Sequence, residues 1–202
     1  MNVKLLIGYA GALALLGVMT GCEEMETAGQ SAADAARTAG NAVRSALPLP
    51  TPAGYWHGDD VSGSPKIVVH LSEQKAYFYK GKNLVGESTI SSGKPGFGTP
   101  PGHYRVVSKD RDHVSSEFGD YVDSEGTVVR SNIDVRKDRK PPGTHFDGAK
   151  MPYCMHFNGG YAMHQGYVPP FAASHGCIRL PGEMAPQFYN AAHEGTPVIV
   201  KQ

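Results

Sequence analysis

Cys177 sits in the run Ala173-Ser174-His175-Gly176-Cys177-Ile178-Arg179-Leu180-Pro181. An unpaired thiol among His and Gly is a candidate nucleophile. Its thiolate attacks a carbonyl carbon, and a neighbouring base or positive field lets that thiolate form near neutral pH. His164 lies upstream in Tyr161-Ala162-Met163-His164-Gln165-Gly166. A loop carrying Pro169 and Pro170 separates the two and can fold the imidazole back beside the sulfur as the base. Gly176 has no Cβ to obstruct a close backbone approach. The N–H groups of Gly176 and Cys177 are therefore candidate donors to a developing oxyanion. Arg179 is a candidate for holding the loop, or a substrate carboxylate through a bidentate pair. No recognised zinc spacing links His156, His164, His175 and Cys177, so neither metal nor other cofactor is expected. Cys154 alternates with Met155 and His156 and reads as a packing residue. A disulfide from Cys154 to Cys177 would quench the nucleophile and stays open at this level.

Such side chains need a scaffold. Lys66 to Leu71, Lys75 to Lys80 and Leu84 to Ser91 read as strands, with Gly81-Lys82-Asn83 a hairpin turn between the last two. Residues 92–102 are turn chemistry. His103 to Ser108 is a further strand. Residues 109–143 are charged and weakly periodic, with Val128-Val129 a short strand and the basic run Arg136, Lys137, Arg139 and Lys140 a solvated loop. Met151 to Phe157 and Tyr161 to Gln165 are strands, and the second delivers His164. Met184 to Glu194 reads as a helix with Pro186 in its first turn and Gly195 at its end. Thr196 to Lys201 closes the domain. Short strands, 25 glycines and 15 prolines indicate a mainly β sandwich or barrel with one or two short helices.

The eight residues Ser174 to Pro181 resemble the signature of the L,D-transpeptidase catalytic domain, also called YkuD-type. Met163-His164-Gln165-Gly166 resembles its upstream histidine motif. Gly98-Thr99-Pro100-Pro101-Gly102-His103-Tyr104 resembles its Thr-Pro-x-Gly-x-aromatic strand. The likeness covers about two-thirds of the chain and implies a YkuD-like β-sandwich over residues 65–202. It implies that Cys177 is the nucleophile and His164 the proton acceptor and donor. Ser174, His175, Gly176 and Arg179 then serve the oxyanion or substrate. The implied reaction is attack on the L,D amide of a peptidoglycan tetrapeptide stem, release of D-Ala, a thioester, and capture of the acyl group by an amine. Carbapenems are expected to acylate the same thiol.

The N-terminus reads as an address. Lys4 precedes an apolar run from Leu5 to Val18, too short to cross a bilayer, which ends in Met19-Thr20-Gly21-Cys22. This resembles a bacterial lipobox, which implies lipidation of Cys22 and a membrane tether on the periplasmic side of the envelope. Glu23 avoids the Asp that some bacteria use for inner-membrane retention, so the outer membrane is favoured. Residues 23–64 are rich in Ala and then Pro and read as a spacer. The 19 basic and 19 acidic side chains cancel, which argues against a nucleic-acid partner.

Rival readings remain. A papain-like amidase places its cysteine before its histidine, and the reverse order here argues against one. The same fold with water as acceptor is an L,D-carboxypeptidase, and with a protein lysine it attaches protein to the wall. A non-catalytic wall-binding lipoprotein needs neither Cys177 nor His164.

Overall fold

The computed structural model describes residues 53–202. The signal segment, Cys22 and the spacer up to residue 52 lie outside the described residues. From there the chain runs through β1 (Gly54–Trp56), β2 (Pro65–His70), β3 (Lys75–Lys80), β4 (Asn83–Thr89), β5 (Gly102–Arg105), β6 (Ser108–Asp110) and β7 (Val114–Val122). It continues with β8 (Val128–Asp134), β9 (His145–Lys150), β10 (Cys154–Asn158), β11 (Tyr161–Gln165), β12 (Ile178–Leu180), α1 (Ala185–Ala191) and β13 (Pro197–Lys201).

These strands form three sheets, ordered β1-β4-β3-β2-β13-β5, β12-β11-β10-β6 and β8-β7-β9. Ile67, Val69, Phe78, Val85, Val198 and Val200 from the first meet Met155, Phe157, Met163, Ile178 and Leu180 from the second in one buried core. This is a sandwich, because each sheet turns alternate side chains toward the other. Helix α1 adds Phe188, whose ring stands edge-on to Phe78 at 5.2 Å.

The expected strands are present, with differences that have physical causes. The segment His103 to Ser108 divides. Val106 N–H donates to Thr196 O, beside β13, whereas Val107 N–H donates to His156 O, beside β10. The chain thus crosses from one sheet to the other between two residues. Strand β1 falls inside the segment read as spacer, and Trp56 lies over Gly86 of β4, its register partner. A Cβ on Gly86 would meet the indole at 2.6 Å. The helix ends sooner than expected, at Ala191, because Ala192 turns extended with ψ 153. Lys109 Nζ closes that end by donating to the carbonyls of Tyr189 and Ala192, both at 2.6 Å. A cation there meets the negative end of the helix.

The largest difference begins in residues 109–143, where only a short strand at Val128-Val129 is expected. They hold β7 and β8, which form an antiparallel sheet with β9 just beyond. Register shifts interrupt both of its pairings. Its strands carry polar residues on both faces, so the period-2 pattern that marks a half-buried strand is missing.

Candidate active site

Strands β11 and β12 run parallel, with Met163 opposite Ile178 and His164 opposite Arg179. Side chains alternate along a strand. Met163 and Ile178 therefore enter the core, and His164 and Arg179 point to the other face. Cys177, two residues before Arg179, continues on the face of His164. The expected pair thus lies on one face of one sheet, His164 in β11 and Cys177 just before β12. Ser174, His175, Cys177, His164 and Arg179 all line one cavity of ≈ 500 Å³. Its opposite wall is the three-stranded sheet, which supplies Ser115, Phe118 and Lys150.

His164 is buried, and its Nδ1–H donates to the Gln165 carbonyl at 2.7 Å. That bond fixes the tautomer and leaves the Nε2 lone pair free to accept a proton. Burial drives its pKa down to about 4, against partial opposition from the Gln165 carbonyl. Burial also pushes the Cys177 thiol up, partly offset by the Ala162 backbone and by Arg179. The resting pair is therefore neutral thiol and neutral imidazole.

The turn before β12 is clamped on both sides. Ser174 Oγ accepts the Gly176 N–H at 3.0 Å and donates to the Cys177 carbonyl. Thr99 Oγ1 donates to the Gly176 carbonyl at 2.7 Å while accepting the Gly93 N–H at 3.0 Å. This corrects one expectation: the Gly176 N–H is engaged by Ser174 and is not an oxyanion donor. Gly176 is needed for another reason. It has φ +118, and a Cβ there would lie 2.7 Å from the Tyr161 ring. The clamp also explains Thr99, which the sequence marked only as part of a motif.

His175 stacks on Phe118 with ring centres 4.8 Å apart and an interplanar angle of 14°. Phe97 stands edge-on to its other side at 4.8 Å. Its Nε2 accepts from Lys94 Nζ at 3.2 Å. Burial and then the Lys94 charge depress its pKa, so it is held neutral. Neither Lys94 nor Phe118 was marked by the sequence, since one lies in a Gly-Pro turn and the other in the charged stretch. Arg179 is half-buried, and among the described residues no carboxylate pairs with its guanidinium. It is free to meet an anion in the cavity.

Cys154 is fully buried at the start of β10, and burial raises its thiol to about 12. It is no nucleophile at neutral pH. Both Cys154 and Cys177 are free thiols. Strand β11 lies between them, so their backbones are about 9–10 Å apart from strand spacing. That exceeds the roughly 7 Å a disulfide tolerates.

Residues 64–200 match a family model described as YkuD, the L,D-transpeptidase catalytic domain. A curated protein of Mycobacterium tuberculosis, "Probable L,D-transpeptidase 3", is 33% identical over 120 residues. Those residues are 58% of this chain and 39% of that protein, so the chain spans well under half of its relative's length. Among solved structures, an L,D-transpeptidase from Mycobacterium smegmatis matches with a TM-score of 0.52 and 20% identity, over 69% of this chain and 59% of that one. L,D-transpeptidase 3 from Mycobacterium tuberculosis matches with a TM-score of 0.52 and 23% identity, over 69% of this chain and 61% of that one. At these identities the likeness speaks for the fold.

Proposed function

Because the chain belongs to the L,D-transpeptidase catalytic domain family, we propose that it is a cysteine-dependent acyltransferase that cross-links peptidoglycan through tetrapeptide stems. The observation that carries this reading is the pairing of β11 with β12, which sets His164 and Cys177 on one face of one cavity. In the first half-reaction the Cys177 S–H proton passes to His164 Nε2 as sulfur bonds to the carbonyl carbon of the L,D amide. The Cys177 N–H holds the oxyanion. The intermediate collapses, the C–N bond breaks, and His164 returns the proton to the departing D-Ala amine. In the second half-reaction an amine attacks the thioester, His164 takes its proton, and sulfur leaves as the thiol. The unpaired Arg179 guanidinium is suited to a carboxylate of the stem. His175, neutral between two aromatic rings, positions the donor chain.

Purified protein incubated with defined tetrapeptide muropeptides tests the reaction. Release of D-Ala with cross-linked dimers is the expected result. Release without dimers would make the protein a carboxypeptidase, and no release at all would overturn the reading. An export signal and lipobox support a lipoprotein on the periplasmic side of the envelope, anchored through Cys22 in the outer membrane. The intact mass of membrane-extracted protein should then show acyl chains that a Cys22→Ala variant lacks.

A further inference from the structure

We propose that His113, Cys154 and His156 form a binding site for a thiophilic divalent cation, best fitted by zinc, in the wall of the cavity beside Cys177. The ligand atoms of the three lie within 4.8 Å of one another. Cys154 Sγ and His156 Nε2 are 3.5 Å apart. Tetrahedral zinc, with Zn–S about 2.3 Å and Zn–N about 2.0–2.1 Å, sets sulfur and nitrogen ligands roughly 3.6 Å apart. The donors are of the kinds zinc takes: one thiol and two imidazoles.

The fold prepares this set. Cys154 and His156 are two residues apart on β10, so they share a face. Strand β6 pairs with β10, placing Asp110 opposite Cys154. The Asp110 carboxylate accepts from His113 Nδ1 at 3.0 Å. This turns the His113 ring and leaves Nε2 with its lone pair, which is how metal-binding histidines are held by their outer partners. The rings of His113 and His156 then meet edge to face at 4.9 Å. The sequence concealed the set, because His113 comes from the β6–β7 turn and no zinc motif joins it to β10.

Cation binding breaks the Cys154 S–H bond, forms a metal–sulfur bond, and releases the proton to solvent. One thiolate and two neutral imidazoles leave a net positive centre with a fourth position. His113 and His156 both line the cavity, so that position faces it and takes water or an anionic group. The site does not depend on the transferase reading, and its test is independent of turnover.

Untagged full chain carrying Cys22→Ala, which removes the unrelated thiol, is titrated with Co²⁺ and read by thiolate-to-cobalt charge-transfer absorption. Zn²⁺ is then read by its displacement of cobalt. One ion per chain is expected, undiminished in Cys177→Ser and lost in Cys154→Ser and His156→Ala. Asp110→Asn should weaken binding about 10–100-fold. Near-UV circular dichroism establishes that each variant is folded; should the buried Cys154 variant fail there, the exposed Asp110→Asn decides. No charge-transfer band, an unchanged affinity in Asp110→Asn, or loss of binding in Cys177→Ser in place of Cys154→Ser would overturn the proposal.

Discussion

The two walls of the cavity are built on different principles. The wall of β10, β11 and β12 has the sandwich core at its back, with Met155, Met163, Ile178 and Leu180 each at most 1% exposed. The facing wall of β7, β8 and β9 buries few large apolar residues, notably Tyr121, Val122 and Ile133, and leaves Val128 and Val129 half exposed. Charge holds it instead. Arg136 grips Asp134 through Nε at 2.8 Å and Nη2 at 3.0 Å, and Arg130 reaches Asp138 at 2.8 Å. Cys177 and His164 stand on the wall that close packing makes stiff. The wall tied by partly exposed ion pairs can shift at little energetic cost.

The sharpest way to break this contrast is at the stiff wall. Cys177→Ala should abolish D-Ala release while thermal unfolding stays close to wild type, since the site's core backing is untouched. Persisting turnover would remove the nucleophile from this wall. His164→Ala should slow acylation of Cys177 by a carbapenem about 100–10,000-fold, the range that base catalysis contributes. A loss of tenfold or less would point to another base, and an adduct located by mass spectrometry on Cys154 would move the chemistry to β10.

The stiff wall also predicts a pH response. His164 has a folded pKa of about 4 because it is buried, against about 6.5 in an unfolded chain. Between these values the unfolded chain binds a proton that the folded one does not. Stability therefore rises with pH across this window and is lost as pH falls from about 6.5 to about 4, by roughly 3 kcal/mol in all. His156 and His175 are also depressed by burial and add in the same direction. Denaturant unfolding of wild type and His164→Gln from pH 7 to pH 4 should show a shallower decline in the variant. The acid limb of kcat/KM should lie near pH 4, because the free imidazole is the active form. A limb near 6.5 would mean that water reaches His164, and that this wall is not closed.

The same contrast explains how far the sequence could be read. Strands whose apolar residues alternate or run unbroken, such as Lys75–Lys80 and Tyr161–Gln165, have the bounds expected of them, because burial against a core imposes the pattern. The eight residues around Cys177 were legible for a different reason: together they resemble a family signature, and some have a local duty that few residue types can perform. Gly176 avoids Tyr161, and Ser174 clamps the turn. The β7–β9 wall has neither property. It is held by charge pairs, Arg136 with Asp134 and Arg130 with Asp138, which leave no apolar period to read, and its bulges break the strand register. Phe118 and Lys94 reach His175 only through tertiary packing, so no local signal pointed to them.

The smallest expected effect lies on that wall. Arg136 bonds Asp134, pairs with Glu117 at 3.0 Å, and covers the Phe118 ring at 5.2 Å from its centre. Phe118 in turn stacks on His175. The Arg136 bond is the main reason the Asp134 carboxyl is held down at about 2. Removing the guanidinium leaves Asp134 nearer its ordinary value, so the stability it confers is lost at a higher pH as acid is added. Because Arg136 and Glu117 are half exposed, although Asp134 is buried, Arg136→Ala should lower stability only modestly, and more at low salt than at high salt. Its catalytic effect should be a several-fold rise in KM with kcat nearly unchanged, since the loosened ring of Phe118 holds the donor peptide less well. Alkylation of Cys177 by iodoacetamide, which needs no donor peptide, should proceed at the wild-type rate. If alkylation slowed in step with turnover, the two walls would be acting as one rigid unit, and the division of labour between packing and charge would fail.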